Sequence, residues 1–300
     1  MIHPGLFPRK ETASSHAGAR GRFDGRKPAP ASRIYTGVER VPLVDTVLTA
    51  ERLTLRFAGV TAVDGLSFSL RAGELLGIIG PNGAGKTSVL NCINGFYHPQ
   101  NGRVTFAGRD ITRLPPHARA RLGIARAFQN IALYPGMTVL SNIMSGRIMH
   151  MHAGVLGSGI YWGRAERELL EHRARVEEII DFLEMEEYRG HRVAELPYGV
   201  QKKVELGRAL AMEPKLLLLD EPMAGMSSDE KVDIARYILE LREVKGLPMI
   251  LIEHDMGVVM DLCDRLVAMD YGKLIAEGPP SQIQHHPEVI KAYLGEEHIA

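Results

Sequence analysis

From Val47 to Phe57, VLTAERLTLRF, apolar residues partly alternate with polar ones, and in GLSFSL the alternation of Leu66, Phe68 and Leu70 against Ser67 and Ser69 is strict. A period of two predicts strands with one buried face. The run ELLGIIG differs, being continuously apolar and bounded by glycine, as suits a strand covered on both faces of a parallel sheet. RVTFAGRD predicts a further short strand and turn. Between about 115 and 195 the pattern turns helical: in RAERELLEHRARVEEIIDFLEMEEY, Leu169, Val176, Ile180 and Leu183 recur at helical spacing among charges. Beyond it, KLLLLDEP and LPMILIEHD predict short apolar strands that end in acidic residues, and LVAMDYGKLIAEG predicts a hairpin around Tyr271 and Gly272. Sheet, helical insert and more sheet together indicate an α/β core interrupted by a helical subdomain.

Residues 1–45 break both periods. They are rich in Gly, Pro, Ser, Ala and Arg, with eight Lys or Arg against four Asp or Glu, and are expected to form a disordered, mildly basic extension. The rest is ordinary globular material: of 300 residues 45% are hydrophobic, and 36 basic residues balance 36 acidic ones. A formal net charge of zero removes any global electrostatic case for nucleic acid or anionic lipid. The sequence has no apolar run of membrane-spanning length, and MIHPGLFPRK lacks the apolar core of a signal peptide, so a cytoplasmic protein is expected. Cys92 and Cys263 are too few for a disulfide framework, lack metal-ligand spacing and are expected in or near the core.

One motif changes this picture. Gly80 to Thr87 reads GPNGAGKT, satisfying G-x-x-x-x-G-K-[ST] between a predicted strand and SVLNCI, which can start a helix. Gly83 and Gly85 let the backbone wrap closely around phosphate oxygens, so that N–H groups from Asn82 through Ser88, Ala84 included, point at negative charge. Lys86 is expected to reach the β- and γ-phosphates of ATP, and the Thr87 hydroxyl to ligate Mg²⁺. A second metal anchor is supplied by Asp220, which ends LLLLD at the carboxyl edge of a parallel sheet and is expected to hold Mg²⁺ through water. Glu221, next to it, is the candidate to orient the attacking water and accept its proton.

With these motifs placed, residues 47 to about 296 resemble the ATPase subunit of an ATP-binding-cassette (ABC) transporter. The resemblance implies a P-loop NTPase core, a mostly parallel sheet with helices, carrying an antiparallel β subdomain and an inserted helical subdomain. It places the ATPase domain at 46–300: core and β subdomain about 46–114 and 202–278, helical signature subdomain about 115–201, and a C-terminal helical tail at 279–300. Gln129 in AFQN would touch Mg²⁺ or the lytic water near the membrane-subunit dock, and His254 in ILIEHD would hydrogen-bond the γ-phosphate. Phe57 stands where such ATPases stack an aromatic ring on adenine, with a buried strand residue as the alternative. The segment AGMSSDE matches the family's D-loop, with Ser227 where an acidic residue or Asn is common.

LPYGV, residues Leu196, Pro197, Tyr198, Gly199 and Val200, falls where the family carries the signature LSGGQ, which faces the γ-phosphate bound by the opposite subunit. Pro197 replaces a serine and Val200 a glutamine, with Gln201 one place later, and neither replacement donates a side-chain hydrogen bond. Weaker support of the trans site is therefore expected. EPMAGMS and the ending HPEVIKAYLGEEH are most similar to the ATPases of branched-chain amino acid importers. That resemblance implies two membrane permeases, a companion ATPase in a heterodimer or homodimer, an extracytoplasmic solute-binding protein reached indirectly, and a peripheral place on the cytoplasmic face of the cell membrane. It implies no nucleic-acid partner. A urea or amide importer, a lipid exporter, and a soluble ABC ATPase acting on ribosomes or DNA remain as alternatives.

Overall fold

The computed structural model describes residues 46–127, 132–151 and 164–297. The expected extension 1–45 and the candidate Gln129 lie outside the described residues.

Two long strands, β1 (Thr46–Phe57) and β2 (Val60–Arg71), form an antiparallel hairpin that β4 (Asn101–Phe106) and β5 (Arg109–Asp110) extend into a four-stranded sheet in the order β2-β1-β4-β5. The alternation in GLSFSL is realised, with Leu66, Phe68 and Leu70 buried. The second sheet has six strands. Its members β3 (Leu75–Ile79), β6 (Ile124–Ala127), β7 (Leu216–Asp220), β8 (Met249–Ile252) and β9 (Arg265–Asp270) are parallel, while β10 (Lys273–Gly278) pairs antiparallel with β9. The order is β10-β9-β3-β8-β7-β6.

Every residue of β3, β7 and β8 is buried, and the reason is visible in which core each side chain joins. Leu75, Ile79, Leu217 and Leu219 pack on one face of the sheet, and Leu76, Ile78, Leu216 and Leu218 on the other. A strand covered on both faces reads as a continuous apolar run, and each buried leucine contributes about 2 kcal/mol of transfer free energy.

Helices α1 (Lys86–Asn94) and α2 (Pro116–Arg121) follow β3 and β5. The stretch expected to be helical from about 115 contains one correction: Ile124–Ala127 is a strand, β6, at the edge of the parallel sheet. Four residues, IARA, are too short to display a period, and their strand character comes from pairing with β7 some ninety residues downstream. Beyond it α3 (Val139–Ser145), α4 (Arg164–Phe182) and α5 (Tyr198–Leu210) pack together over Val139, Ile143, Val176, Ile180 and Val204. The remaining helices are α6 (Ser228–Glu243), α7 (Met256–Leu262), α8 (Pro280–Ile283) and α9 (Pro287–Glu297). Among the described residues no helix is long and apolar enough to cross a membrane. Both cysteines are free and buried, and burial pushes the Cys92 thiol up to about 11.

Candidate active site

Parallel strands deliver their carboxyl ends to one edge of the sheet, and β3, β8 and β7 are neighbours in that order. The Gly-rich loop leaves β3, Glu253 and His254 leave β8, and Asp220 ends β7 with Glu221 just beyond it. The sheet order therefore gathers side chains that the sequence keeps far apart.

The loop enters α1 through Gly85, which has φ 98° and lies so close to β2 that a Cβ there would overlap the Ala62 carbonyl oxygen. Backbone on both sides holds it: the Gly272 N–H donates to the Ala84 carbonyl at 3.0 Å, and the Ala84 N–H to that of Pro81 at 3.2 Å. Lys86 is buried, and its ammonium donates to the carbonyls of Gly80 at 2.5 Å and Pro81 at 2.8 Å. Asn82 and Gly83 are exposed, Ala84 is buried, and Thr87 and Ser88 are half-buried at the first turn of α1. N–H groups at such a helix start attract an anion.

Asp220 is 1% exposed. Its Oδ2 accepts from Arg126 Nη2 at 2.5 Å, and the same guanidinium donates to Asn91 Oδ1 at 2.6 Å. Burial raises its pKa, opposed by the hydrogen bond and charge of Arg126. Among the described residues its buried Oδ1 has no hydrogen-bond partner. An anionic oxygen in that position fits the hydration shell of a divalent cation.

Glu221 departs from regular geometry, with φ 53° at a residue that carries a side chain. Its N–H donates to the Ile252 carbonyl at 2.9 Å, which holds the turn against β8. The His254 imidazole donates through Nε2 to Glu221 Oε1 at 2.6 Å, since a carboxylate can only accept. Both side chains are partly exposed, so the carboxylate is oriented by the imidazole and open to water. A contact from His254 Nε2 to a γ-phosphate requires the ring to leave Glu221. Beneath the pair, Glu253 is buried and accepts from the Met223 N–H at 2.7 Å, and burial raises its pKa.

Phe57 ends β1 with 41% of its surface exposed, and its ring meets Tyr97 edge-on at 4.9 Å. It pairs with Val60 at the start of β2, two residues from the Ala62 carbonyl that abuts Gly85, so the hairpin tip lies beside the loop.

LPYGV lies elsewhere, at the start of α5. Leu196 is buried, Pro197 is the N-cap and offers no side-chain cap, and Tyr198 is the first helical residue. The Gly199 N–H donates to the Glu230 carboxylate, which also accepts from the Ser227 N–H and hydroxyl at 2.8 Å. Ser227 and Glu230 thus form a capping box on α6, and the same carboxylate ties it to the entrance of α5. Val200 packs against the core, and Gln201 folds back to donate to the Leu196 carbonyl at 2.9 Å. Gln201 therefore serves its own turn.

Sequence patterns missed Arg126, Asn91 and Glu253, because each acts through a partner distant along the chain. Their only local signal is that Arg126 precedes AFQN and Glu253 precedes His254.

Comparisons with known proteins show the family. Residues 63–224 match the family described as ABC transporter, and residues 273–299 match the one described as branched-chain amino acid ATP-binding cassette transporter. The chain is 38% identical over 254 residues to the high-affinity branched-chain amino acid transport ATP-binding protein BraF of Pseudomonas aeruginosa, covering 83% of this chain and 98% of that protein. It is 37% identical, with the same coverage, to LivG of Escherichia coli, which bears the same description. Among solved structures it is 35% identical to an ATP-binding cassette of an ABC transporter in its ADP conformation, with a TM-score of 0.73 over 83% of this chain and 99% of that one. A nucleotide-free cassette from an ABC transporter superposes with a TM-score of 0.72 at 35% identity, over 83% of this chain and 98% of that one.

Proposed function

The chain belongs to the ATP-hydrolysing subunits of ABC transporters, and from that premise we propose that it energises the uptake of branched-chain amino acids through membrane permeases it does not itself contain. The observation that carries the substrate class is the match of residues 273–299, a segment separate from the general ATPase match. The resemblance to BraF and LivG over nearly their whole length supports the same reading.

In the mechanism we propose, the Gly80–Ser88 loop binds the phosphates of ATP, Lys86, held in place by the carbonyls of Gly80 and Pro81, directs its ammonium at phosphate oxygens, and Phe57 stacks on the adenine. Thr87, Asp220 and Gln129 would hold Mg²⁺, which supplies charge neutralisation at the β- and γ-phosphate oxygens. Glu221, oriented by His254, accepts a proton from the attacking water. LPYGV faces the ATP of a companion ATPase, so that nucleotide binding closes the pair and hydrolysis reopens it. Such a subunit would sit on the cytoplasmic face of the membrane, with a solute-binding protein on the other side.

The test is Glu221→Gln in the assembled transporter. Hydrolysis is expected to fall by roughly 10² to 10⁴ with ATP still bound, and uptake of radiolabelled leucine into proteoliposomes should fall with it. Wild-type proteoliposomes that hydrolyse ATP yet import urea and not leucine would overturn the substrate class alone.

A further inference from the structure

The first peptide of the phosphate loop is held from the far end of the chain. Gly80 is buried, and its N–H donates to the Tyr293 hydroxyl at 2.8 Å, across 213 positions of sequence. Its carbonyl accepts from the Lys86 ammonium at 2.5 Å. The residue has φ 149°, and a Cβ there would overlap the Met269 carbonyl oxygen, so this peptide is boxed in by β9 as well. Two residues beyond β9, the Gly272 N–H holds the Ala84 carbonyl on the opposite side of the loop. Residues 269–293 thus hold the loop from Met269, Gly272 and Tyr293, the last through its side chain.

We infer that Tyr293 is a positioning residue for nucleotide binding: its hydroxyl fixes the Gly80 peptide, whose carbonyl in turn sets where the Lys86 ammonium sits. Tyr293 belongs to α9 and packs against the core, so α9 carries the hydroxyl to the loop. The segment 273–299, matched separately from the ATPase family, thereby becomes part of the phosphate site. Removing the hydroxyl leaves a buried N–H without its acceptor, and the peptide is then free to turn with the carbonyl that holds Lys86. By linkage, a contact on α9 that aids nucleotide binding means that bound nucleotide stabilises α9 by the same factor.

This rests on Gly80–Thr87 being the nucleotide site, and the experiment separates the two claims. The full chain is titrated with a fluorescent ADP analogue and Mg²⁺, as wild type and as Tyr293→Phe, which keeps the ring and removes only the oxygen. Tyr293→Phe should raise Kd about fivefold. In hydrogen exchange, Mg²⁺-ADP should slow exchange across residues 287–297 in the wild type and less so in the variant. Leu294→Ala, on the exposed side of the same helix, should leave Kd unchanged. If Tyr293→Phe lowers Tm but binds the analogue as tightly as wild type, the hydroxyl serves folding only and the inference fails. If the wild type itself binds no analogue, the reading of the loop fails first.

Discussion

The two helix entrances to which the proposed function assigns nucleotide contacts are built differently. The α1 entrance is walled by backbone: Gly85 lies against the Ala62 carbonyl, and Ala84 is held by the Gly272 N–H. The α5 entrance is walled by side chains: Gly199 lies against the Glu230 carboxylate, and the Tyr198 hydroxyl reaches the Ala224 carbonyl at 3.4 Å. Neither helix has a side-chain cap of its own. Backbone in a sheet cannot move aside, whereas a carboxylate can swing away on its stem. The Gly-rich loop is thus a fixed structure and the signature turn an adjustable one, a difference that would suit the proposed meeting of that turn with a partner's nucleotide.

The sharpest way to break that comparison is to place the same methyl group at both entrances. Gly85→Ala meets backbone and also forces a side chain to φ 98°, so nucleotide affinity should fall by about 10²-fold or more. Gly199→Ala meets the end of a flexible glutamate, so it should cost only about 1 kcal/mol of stability and leave nucleotide binding in its own subunit intact. Isothermal titration with ADP and thermal denaturation of both variants measure this. Equal losses of affinity would show that the entrances are not mechanically distinct.

The same contrast explains what was legible in the sequence. Strands β3, β7 and β8 announce themselves as apolar runs because both faces are covered, and the loop announces itself because Gly, Lys and Thr must all be close in sequence to wrap one phosphate group. Contacts made across the sheet leave no such mark. Arg126 reaches Asp220 from 94 residues away, and Tyr293 reaches Gly80 from 213, so no local period or spacing reveals either. LPYGV shows the limit in another form: its two departures from the family signature were visible at once, but the carboxylate that satisfies Gly199 was not.

A middle-sized effect is expected from restoring the signature side chains. Pro197→Ser with Val200→Gln supplies two donors at the α5 entrance, and turnover at the companion subunit's site should rise roughly fivefold if the serine gains one hydrogen bond to phosphate. The measurement is single-site hydrolysis in an assembled transporter whose other site is disabled. Val200 packs against the core, so the glutamine lowers stability somewhat, and Pro197→Ser alone is the cleaner arm. No change at the companion site in either variant would show that the backbone of the turn suffices.

The smallest effect isolates the carboxylate that makes the signature turn adjustable. Hydrogen bonds from the Ser227 backbone and hydroxyl, then from the Gly199 N–H, hold the Glu230 carboxyl below its ordinary value of 4.5, and Lys203 adds to this. A carboxyl depressed in the folded protein adds stability that is fully present above its unfolded pKa and is lost as pH falls through the folded value. Glu230→Gln should therefore lower Tm by about 2 °C near neutral pH, with the gap to wild type closing as pH drops below 4.5. The walls of the α1 entrance are main-chain carbonyls and a main-chain N–H, which do not titrate, so Gly85→Ala should keep its deficit at every pH where the fold survives. A Glu230→Gln gap that stays constant down to pH 3 would mean that the α5 entrance is held by packing of Tyr198 and Val200, and that the two entrances differ less than their contacts imply.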